Sequence, residues 1–384
     1  MDISVLTELD LHQVTVIIPT YQRPIFLRRN LKFWSMTNAS IIVADGSPTS
    51  ELSYLKNEIK IDYFRSSDSM ELRLAEAAAR TKTNYAIITG DDEIMLPESL
   101  AVLQKFLDNN SDHVSCIGRC VSFEKKDIPK SNSSYLLLRP DKIGQATHQV
   151  NQISPTERMI YHISNYQVST FYSLHKTSNL RSILERISSN RISSPYGAEL
   201  LFEIAAAEAG KSSVLSIPSW LRSNENVPVR SLIGDVSLAE WKKHHSNEIR
   251  NCVRGMFGKN RCIEDTAMQL INERIEKNIS NGSFTRKVIS SLSHMRDFFH
   301  YRRRAIIENV LGWSLAKNFS VISNVILREL SKHQISYFVS PSRNSFVGLE
   351  NADIELTQDV GLSRALEFIA SYSQEGETLR PTDA

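Results

Sequence analysis

Two neighbouring acids, Asp91 and Asp92, follow a short apolar run, Tyr85-Ala86-Ile87-Ile88-Thr89, and one glycine, Gly90. A turn after a buried strand is a place from which one or two carboxylates hold a hard divalent cation, Mg²⁺ or Mn²⁺, against a diphosphate, because phosphate oxygens and water fill the remaining coordination positions. The same turn would equally serve only to end a strand and cap the segment that follows. Two more polar residues close apolar runs in the same way: Thr20 after Val14 to Pro19, and Asp45 after Ile41-Ile42-Val43-Ala44.

A sheet must position these groups. Val14-Thr15-Val16-Ile17-Ile18 is a β-branched run stopped by Pro19, and from Ile25 to Trp34 the apolar Phe26, Leu27, Leu31 and Phe33 follow a helical period. The second run ends in a Gly- and Pro-containing loop, Asp45-Gly46-Ser47-Pro48, followed by a weakly amphipathic segment from Leu52 to Lys56. Ile61 to Arg65 reads as a third strand, the alanine-rich Glu71 to Arg80 as a helix, and Tyr85 to Thr89 as the fourth strand. Four near-continuously apolar strands separated by helices predict a mostly parallel sheet covered on both faces. Ligands of such sheets collect outside the carboxyl ends of the strands, where Thr20, Asp45, Asp91 and Asp92 all fall.

Further on, the pattern predicts a helix from Pro97 to Leu107, strands at Val114 to Gly118 and Tyr135 to Leu138, and a helix near Thr156 to His162. A strand-like stretch, Val168 to Leu174, precedes an alanine-rich helix, Glu199 to Ala209, and a last strand, Val214 to Pro218. These elements make a first domain, 1–235. The remainder, 236–384, reads as mainly helical, with 14 Lys and Arg against 6 Asp and Glu from Trp241 to Arg304, then an acidic tail expected to be disordered from Ser373 to Ala384.

Composition excludes several classes. With 384 residues, 41% hydrophobic and 23% charged, the chain is an ordinary globular protein of two or three domains. Forty-five basic side chains against 43 acidic ones leave no global field to hold nucleic acid. Cys116, Cys120, Cys252 and Cys262 form no C-x-x-C pair, which predicts reduced thiols and no structural zinc. The acidic start, Met1 to Asp10, lacks the basic and apolar regions of a signal peptide, and no run of 18 apolar residues occurs, so a cytoplasmic protein is expected. No G-x-x-x-x-G-K-[ST], G-x-S-x-G or H-E-x-x-H is present.

The order of the pieces resembles the inverting nucleotide-sugar glycosyltransferases of the family 2 type, of the kind that assemble bacterial surface polysaccharide. Their strand ending in I-P-T-Y-x-R is matched by Ile18-Pro19-Thr20-Tyr21-Gln22-Arg23-Pro24, their D-x-S by Asp45-Gly46-Ser47, and their alanine-rich helix by Arg73 to Arg80. Their acidic cluster followed by P-x-x-L is matched by Thr89-Gly90-Asp91-Asp92-Glu93 and Pro97-Glu98-Ser99-Leu100. The likeness covers residues 14–107 well and 150–225 more loosely. It implies an α/β GT-A fold, with a Rossmann-like, mostly parallel sheet flanked by helices ahead of the helical C-terminal region.

The resemblance also implies roles. Asp45 would hydrogen-bond the uracil or ribose of the donor, Thr20 and Arg73 would sit on the nucleotide side, Asp91 beside the ribose or diphosphate, and Asp92 would ligate the divalent cation; Glu93 departs from the commonest D-x-D form. Inversion needs a carboxylate that takes the proton of the attacking hydroxyl. In the family that acid opens a downstream helix, often as an E-D pair, so Glu199 in Tyr196-Gly197-Ala198-Glu199-Leu200 is the candidate base, with Glu203 one turn later as the second choice. Arg222 would reach the diphosphate. Each has a plainer reading: a Glu in the first turn of a helix is favoured by the helix dipole alone, and Arg73 and Arg222 could be surface residues.

The reading is therefore transfer of a sugar from a uridine-based nucleotide-sugar donor to a hydroxyl of a glycan or lipid-linked glycan. The stretch 298–313, with Phe298-Phe299 beside Arg302-Arg303-Arg304 and Ile306 to Trp313 beyond, would lie on an anionic membrane at the inner face of the cytoplasmic membrane, or dock against the other domain. Two alternatives stay open: a non-catalytic nucleotide- or glycan-binding module that recruits partners through its helical half, and a metal-dependent nucleotidyltransferase. The latter is disfavoured because no Gly-rich loop follows the first strand.

Overall fold

Alternation along the first strand sets the layers. In β1 (Val14–Thr20), Val16 and Ile18 pack into one apolar cluster and Ile17 into the other, as the two-residue period of a strand requires. The structure is a computed structural model that describes residues 9–49, 61–127, 134–140, 148–166, 170–190, 192–225, 238–277, 337–340, 345–347, 361–362, 364–366 and 368–369. β1 pairs in parallel with β2 (Ser40–Asp45), Thr20 opposite Asp45, and on its other side with β4 (Tyr85–Ile88). β3 (Asp62–Arg65) continues the parallel set next to β2. The part of the sheet that carries the acids is thus parallel, as the apolar runs predict.

The face bearing Val16 and Ile18 is covered by α1 (Pro24–Trp34), through Leu27, Leu31 and Trp34, and by α3 (Pro97–Asn109), through Leu100 and Leu103. The face bearing Ile17, Ile42 and Ile88 is covered by α2 (Met70–Arg80), α5 (Thr177–Ser189) and α6 (Pro195–Ala209). Apolar residues surround α6 on all sides, and Leu201, Phe202, Ile204 and Ala205 are all buried, the pattern of a core helix. The Ser194 side chain caps it by accepting a hydrogen bond from Gly197 N at 3.1 Å.

Beyond β4 the sheet becomes mixed. It runs through β9 (Leu174–Lys176), β6 (His113–Asp127) and β7 (Ser134–Pro140), and β10 (Lys211–Ser223) pairs with β6 in parallel and with the two-residue β5 (Ile94–Met95) and β8 (Gln149–Val150) antiparallel. Pro218 sits where the β10 register shifts, the position in which a strand tolerates proline. Between α4 (Pro155–Ser164) and β9, the described part of the strand expected at Val168 to Leu174 is a 3₁₀ turn, Thr170–Tyr172, and only Leu174 enters a strand, as the first residue of β9. Helix α5 was not anticipated, although Leu180, Ile183, Leu184 and Ile187 have helical spacing.

Residues beyond 235 join both faces. Helices α7 (Leu238–His244), α8 (Ser246–Phe257) and α9 (261–277) bury Trp241, Val253 and Ile271 in the cluster of α5 and α6. This region, expected to be mainly helical, also supplies two strands: β11 (Tyr337–Ser340) pairs with β7 and with β12 (Ser345–Val347). Leu362, Leu366 and Ile369 are buried with α1, and Arg364 Nη1 lies 2.6 Å from Glu98 Oε1. The segments Leu52 to Lys56, 298–313 and Ser373 to Ala384 lie outside the described residues. Among the described residues, no helix is long and apolar enough to cross a membrane.

Candidate functional site

The turn that follows β4 is held by its backbone. Asn30, buried on the inner face of α1, donates from Nδ2 to Gly90 O at 2.9 Å and to Glu93 O at 2.7 Å. Its neighbour Arg29 donates from Nη2 to Asp92 O at 3.1 Å and pairs through Nη1 with Glu225 Oε2 at 2.8 Å. Carbonyls engaged in this way leave the carboxylates of the turn to face elsewhere. Sequence reading missed both residues; the signal was two polar side chains on the inward face of an amphipathic helix.

The carboxylates meet groups from the end of β1. Thr20 Oγ1 donates to Asp91 Oδ2 at 2.8 Å. Past β1 the backbone passes through a positive φ of 54° at Gln22, and Arg23 then places Nη1 3.2 Å from Asp91 Oδ1 and 3.4 Å from Asp92 Oδ2. Burial pushes the Asp91 carboxyl up to about 6, Asp92 adds to the rise, and Arg23 and Thr20 oppose it. Glu93 is driven to about 8 by burial and then by Asp92, against Arg222 and the Gly90 amide, which donates to Glu93 Oε2 at 3.3 Å. Burial thus favours the neutral form of Glu93.

These acids border a cavity of about 670 Å³. Thr20, Arg23, Arg73, Asp91, Asp92 and Arg222 line it at the carboxyl ends of the strands, and Glu199 lines it from the second turn of α6. Arg222 lies with its guanidinium 5.9 Å from the Trp220 ring, which itself stacks on Tyr172 at 4.4 Å. Tyr166 OH donates to Glu199 Oε1 at 3.2 Å, a partner that no motif announced.

Asp45 and Arg73 are both buried at the ends of the strands. Asp45 does not border the large cavity; its Oδ1 accepts from Ser47 N at 2.8 Å, its Oδ2 from Tyr63 OH at 2.7 Å, and it lines a small recess that shares Thr20 and Arg23 with the cavity. Arg73 is buried, not solvated, and donates from Nη1 to Ala44 O at 2.6 Å and Thr20 O at 3.2 Å, tying the ends of β1 and β2 together. Burial lowers its pKa, with Asp45 opposing. Gly46 permits this approach: a Cβ there would lie 2.5 Å from the guanidinium carbon.

Glu203 turns into the core. It is 0% exposed, and its carboxylate accepts from His162 Nε2 at 2.8 Å, from Thr170 N at 2.9 Å, from Thr170 Oγ1 at 2.5 Å and from Phe171 N at 3.2 Å. These bonds bend the Thr170–Tyr172 segment into its 3₁₀ turn and set Phe171 and Tyr172 against the cavity. His162 Nδ1 in turn lies 3.0 Å from His148 Nε2, so the two imidazoles are joined behind the carboxyl group. Burial holds both His148 and His175 down at about 4, with His162 adding to the effect on His148.

Among solved structures the chain is similar to S. aureus TarS, at 14% identity and a TM-score of 0.41, over 70% of this chain and 44% of that one. It is similar to residues 1–349 of S. aureus TarS in complex with UDP-GlcNAc, at 13% identity and a TM-score of 0.45, over 95% of this chain and 91% of that one. The mannosyltransferase PcManGT from Pyrobaculum calidifontis, in complex with GDP-Man and Mn²⁺, is similar at 11% identity and a TM-score of 0.36, over 76% of this chain and 82% of that one. The chain thus spans less than half of the longer TarS chain it matches. No protein-family model matches the sequence, and no curated protein matches it either. Likenesses of this size assign no activity, which must be argued from the site itself.

Removing the Arg23 guanidinium takes a cation from the buried Asp91 and the partly buried Asp92, so Arg23→Ala is expected to destabilise the fold by about 3 kcal/mol. The loss should be smaller when Arg23→Ala is made in an Asp91→Asn background, and urea denaturation of the four proteins measures this coupling; additive losses would show that the clamp carries no stability. The two depressed histidines make a second prediction. Both titrate near 4 when folded against 6.5 when exposed, so the folded state binds fewer protons between those values and stability falls as the pH drops through that window. Asp91 and Glu93 contribute with the opposite sign. The loss in melting temperature between pH 7 and pH 4.5 should accordingly be smaller in His148→Gln than in the wild type.

Proposed function

We propose that this chain transfers a sugar from a nucleotide-diphosphate donor, uridine-based, to a hydroxyl of a glycan or lipid-linked glycan acceptor, with inversion and with the help of a divalent cation. The observation that carries the reading is that one cavity is bordered both by the acid turn after β4 and by Glu199 of α6. The first group suits a diphosphate, the second a hydroxyl that must lose a proton.

The donor set fits Mg²⁺ or Mn²⁺. Asp92 borders the cavity, and Arg23 brings one positive charge to two carboxylates. Among the described residues no three acidic, histidine or cysteine side chains gather as a complete metal cage, so Asp92 would be the protein ligand and phosphate oxygens and water the rest. A cation bound there would offset the charge that grows on the departing diphosphate. Arg222 adds a second positive charge from the end of β10, Thr20 and Arg73 shape the nucleotide side, and Asp91 keeps Arg23 in place behind the metal ligand. Asp45 would meet the base or ribose where its recess joins the cavity at Thr20 and Arg23.

Glu199 takes the proton from the acceptor hydroxyl, and the Tyr166 hydroxyl orients its carboxylate. The acceptor oxygen bonds to the anomeric carbon as the bond from that carbon to the diphosphate oxygen breaks; one displacement inverts the centre and no covalent enzyme intermediate forms. The acceptor would be presented at the membrane surface by the basic stretch 298–313.

Calorimetric titration of UDP, GDP and CDP, with and without Mn²⁺, tests the donor side. UDP is expected to bind more tightly with Mn²⁺, and Asp92→Asn to abolish that difference; no metal-dependent binding of any of the three would sink the reading and favour a non-catalytic module. Glu199→Gln tests the acceptor side. It should keep UDP binding while turnover of the active donor falls by about 10²–10⁴-fold, and wild-type turnover in this variant would remove Glu199 from the role of base.

A further inference from the structure

One guanidinium nitrogen is shared between the two aspartates of the turn. Arg23 Nη1 lies 3.2 Å from Asp91 Oδ1 and 3.4 Å from Asp92 Oδ2. The three side chains are 11%, 4% and 12% exposed, so water screens these charges from one another only weakly. Both contacts are long for a charge-assisted hydrogen bond, whereas Thr20 holds Asp91 at 2.8 Å. The longer link, to Asp92, is the more easily exchanged.

The backbone that carries Arg23 is pinned on both sides. Gln22 has a positive φ of 54°, which a residue other than glycine keeps only where its surroundings impose it, and its N–H donates to Ser47 Oγ at 2.8 Å. On the other side Leu27 N donates to Arg23 O at 3.1 Å, in the first turn of α1. Exchange at Asp92 is therefore a matter of rotating the Arg23 side chain. That side chain borders the same cavity as Asp92 and Arg222, where a diphosphate would lie.

We propose that Arg23 is the resident counter-ion of the acid turn: it competes with the divalent cation for Asp92 and exchanges Asp92 for the diphosphate when the nucleotide enters. The cation then binds together with the nucleotide and not before it. The proposal rests on the nucleotide-sugar reading above. In the empty cavity a cation on Asp92 gains one carboxylate and faces the guanidinium, a repulsion between like charges. With a diphosphate present, phosphate oxygens join the coordination and the guanidinium gains an anion of its own.

Electron paramagnetic resonance of free Mn²⁺, followed in titrations of the full chain with and without saturating UDP, gives both dissociation constants for the cation. The wild type is expected to bind Mn²⁺ alone more weakly than in the presence of UDP. Arg23→Gln removes the competitor and should bind Mn²⁺ alone about tenfold more tightly than the wild type, with a smaller change when UDP is present. Damage to the site would weaken cation binding, so a gain in affinity separates the exchange from a structural role. Should Arg23→Gln fail to fold, as judged by its circular dichroism, the same comparison is made in an Asp91→Asn background, where the guanidinium has only one of its two carboxylates to satisfy. Normal UDP binding with unchanged or weaker Mn²⁺ binding in the variant overturns the exchange and leaves the nucleotide-sugar reading intact. So does a wild type that takes Mn²⁺ as tightly without UDP as with it, or a variant whose gain is equal in both conditions. If UDP binds the wild type neither with Mn²⁺ nor without it, the nucleotide-sugar reading falls, and the proposal with it.

Discussion

Three consecutive acids on one turn after a buried strand repel one another, and the structure depends on how that turn is held. The answer is a set of contacts to its backbone. Asn30 and Arg29 of α1 take the carbonyls of Gly90, Asp92 and Glu93, so the turn is held through its backbone as well as through the Arg23 clamp on its carboxylates. Each such bond contributes about 1 kcal/mol net, but an unsatisfied buried carbonyl costs more, which makes α1 a fixed part of the site and not only a cover for the sheet. The side chains can then be tuned separately: Arg23 and Thr20 keep Asp91 from rising further, and burial favours the neutral form of Glu93.

The same economy appears on the opposite wall. Glu203 is a carboxyl group at zero exposure, tolerated because donors from His162, Thr170 and Phe171 converge on it. What it provides is a bend: the backbone amides of Thr170 and Phe171 cannot pair in a strand while they donate to Glu203. Phe171 and Tyr172 are thereby held against the cavity, and Tyr172 stacks on Trp220 of β10, two residues before Arg222. The buried histidines behind Glu203 extend this support to α4 and the end of β8.

The cavity divides along the layers of the fold. Its charged wall comes from strand ends, where backbone groups run out of partners and polar side chains collect. Its apolar wall comes from helices whose inward faces were built to cover a sheet. Residues far along the chain complete both faces, with Trp241 against Gly197 at the start of α6 and Phe368 5.3 Å from Phe33 of α1.

Much of this was legible in the sequence. The apolar runs, their β-branched residues and the polar residues at their ends determine the parallel strands and bring Thr20, Asp45, Asp91 and Asp92 to one edge, because a buried parallel strand has few other compositions. Helical spacing also gave α1, α2, α3 and α6. The long-range contacts were not legible. Glu199 and Glu203 are four residues apart and share one helical face, so periodicity cannot separate them; Tyr166 and the cavity cover the first, and the Thr170 turn covers the second. The sequence leaves Arg73 between a nucleotide-side contact and a surface residue; only the missing side chain of Gly46 lets its guanidinium reach the ends of two strands. Local propensity and periodicity are properties of neighbours along the chain, whereas the surroundings of a carboxylate or a guanidinium are set by segments tens of residues away, and those only the tertiary structure decided.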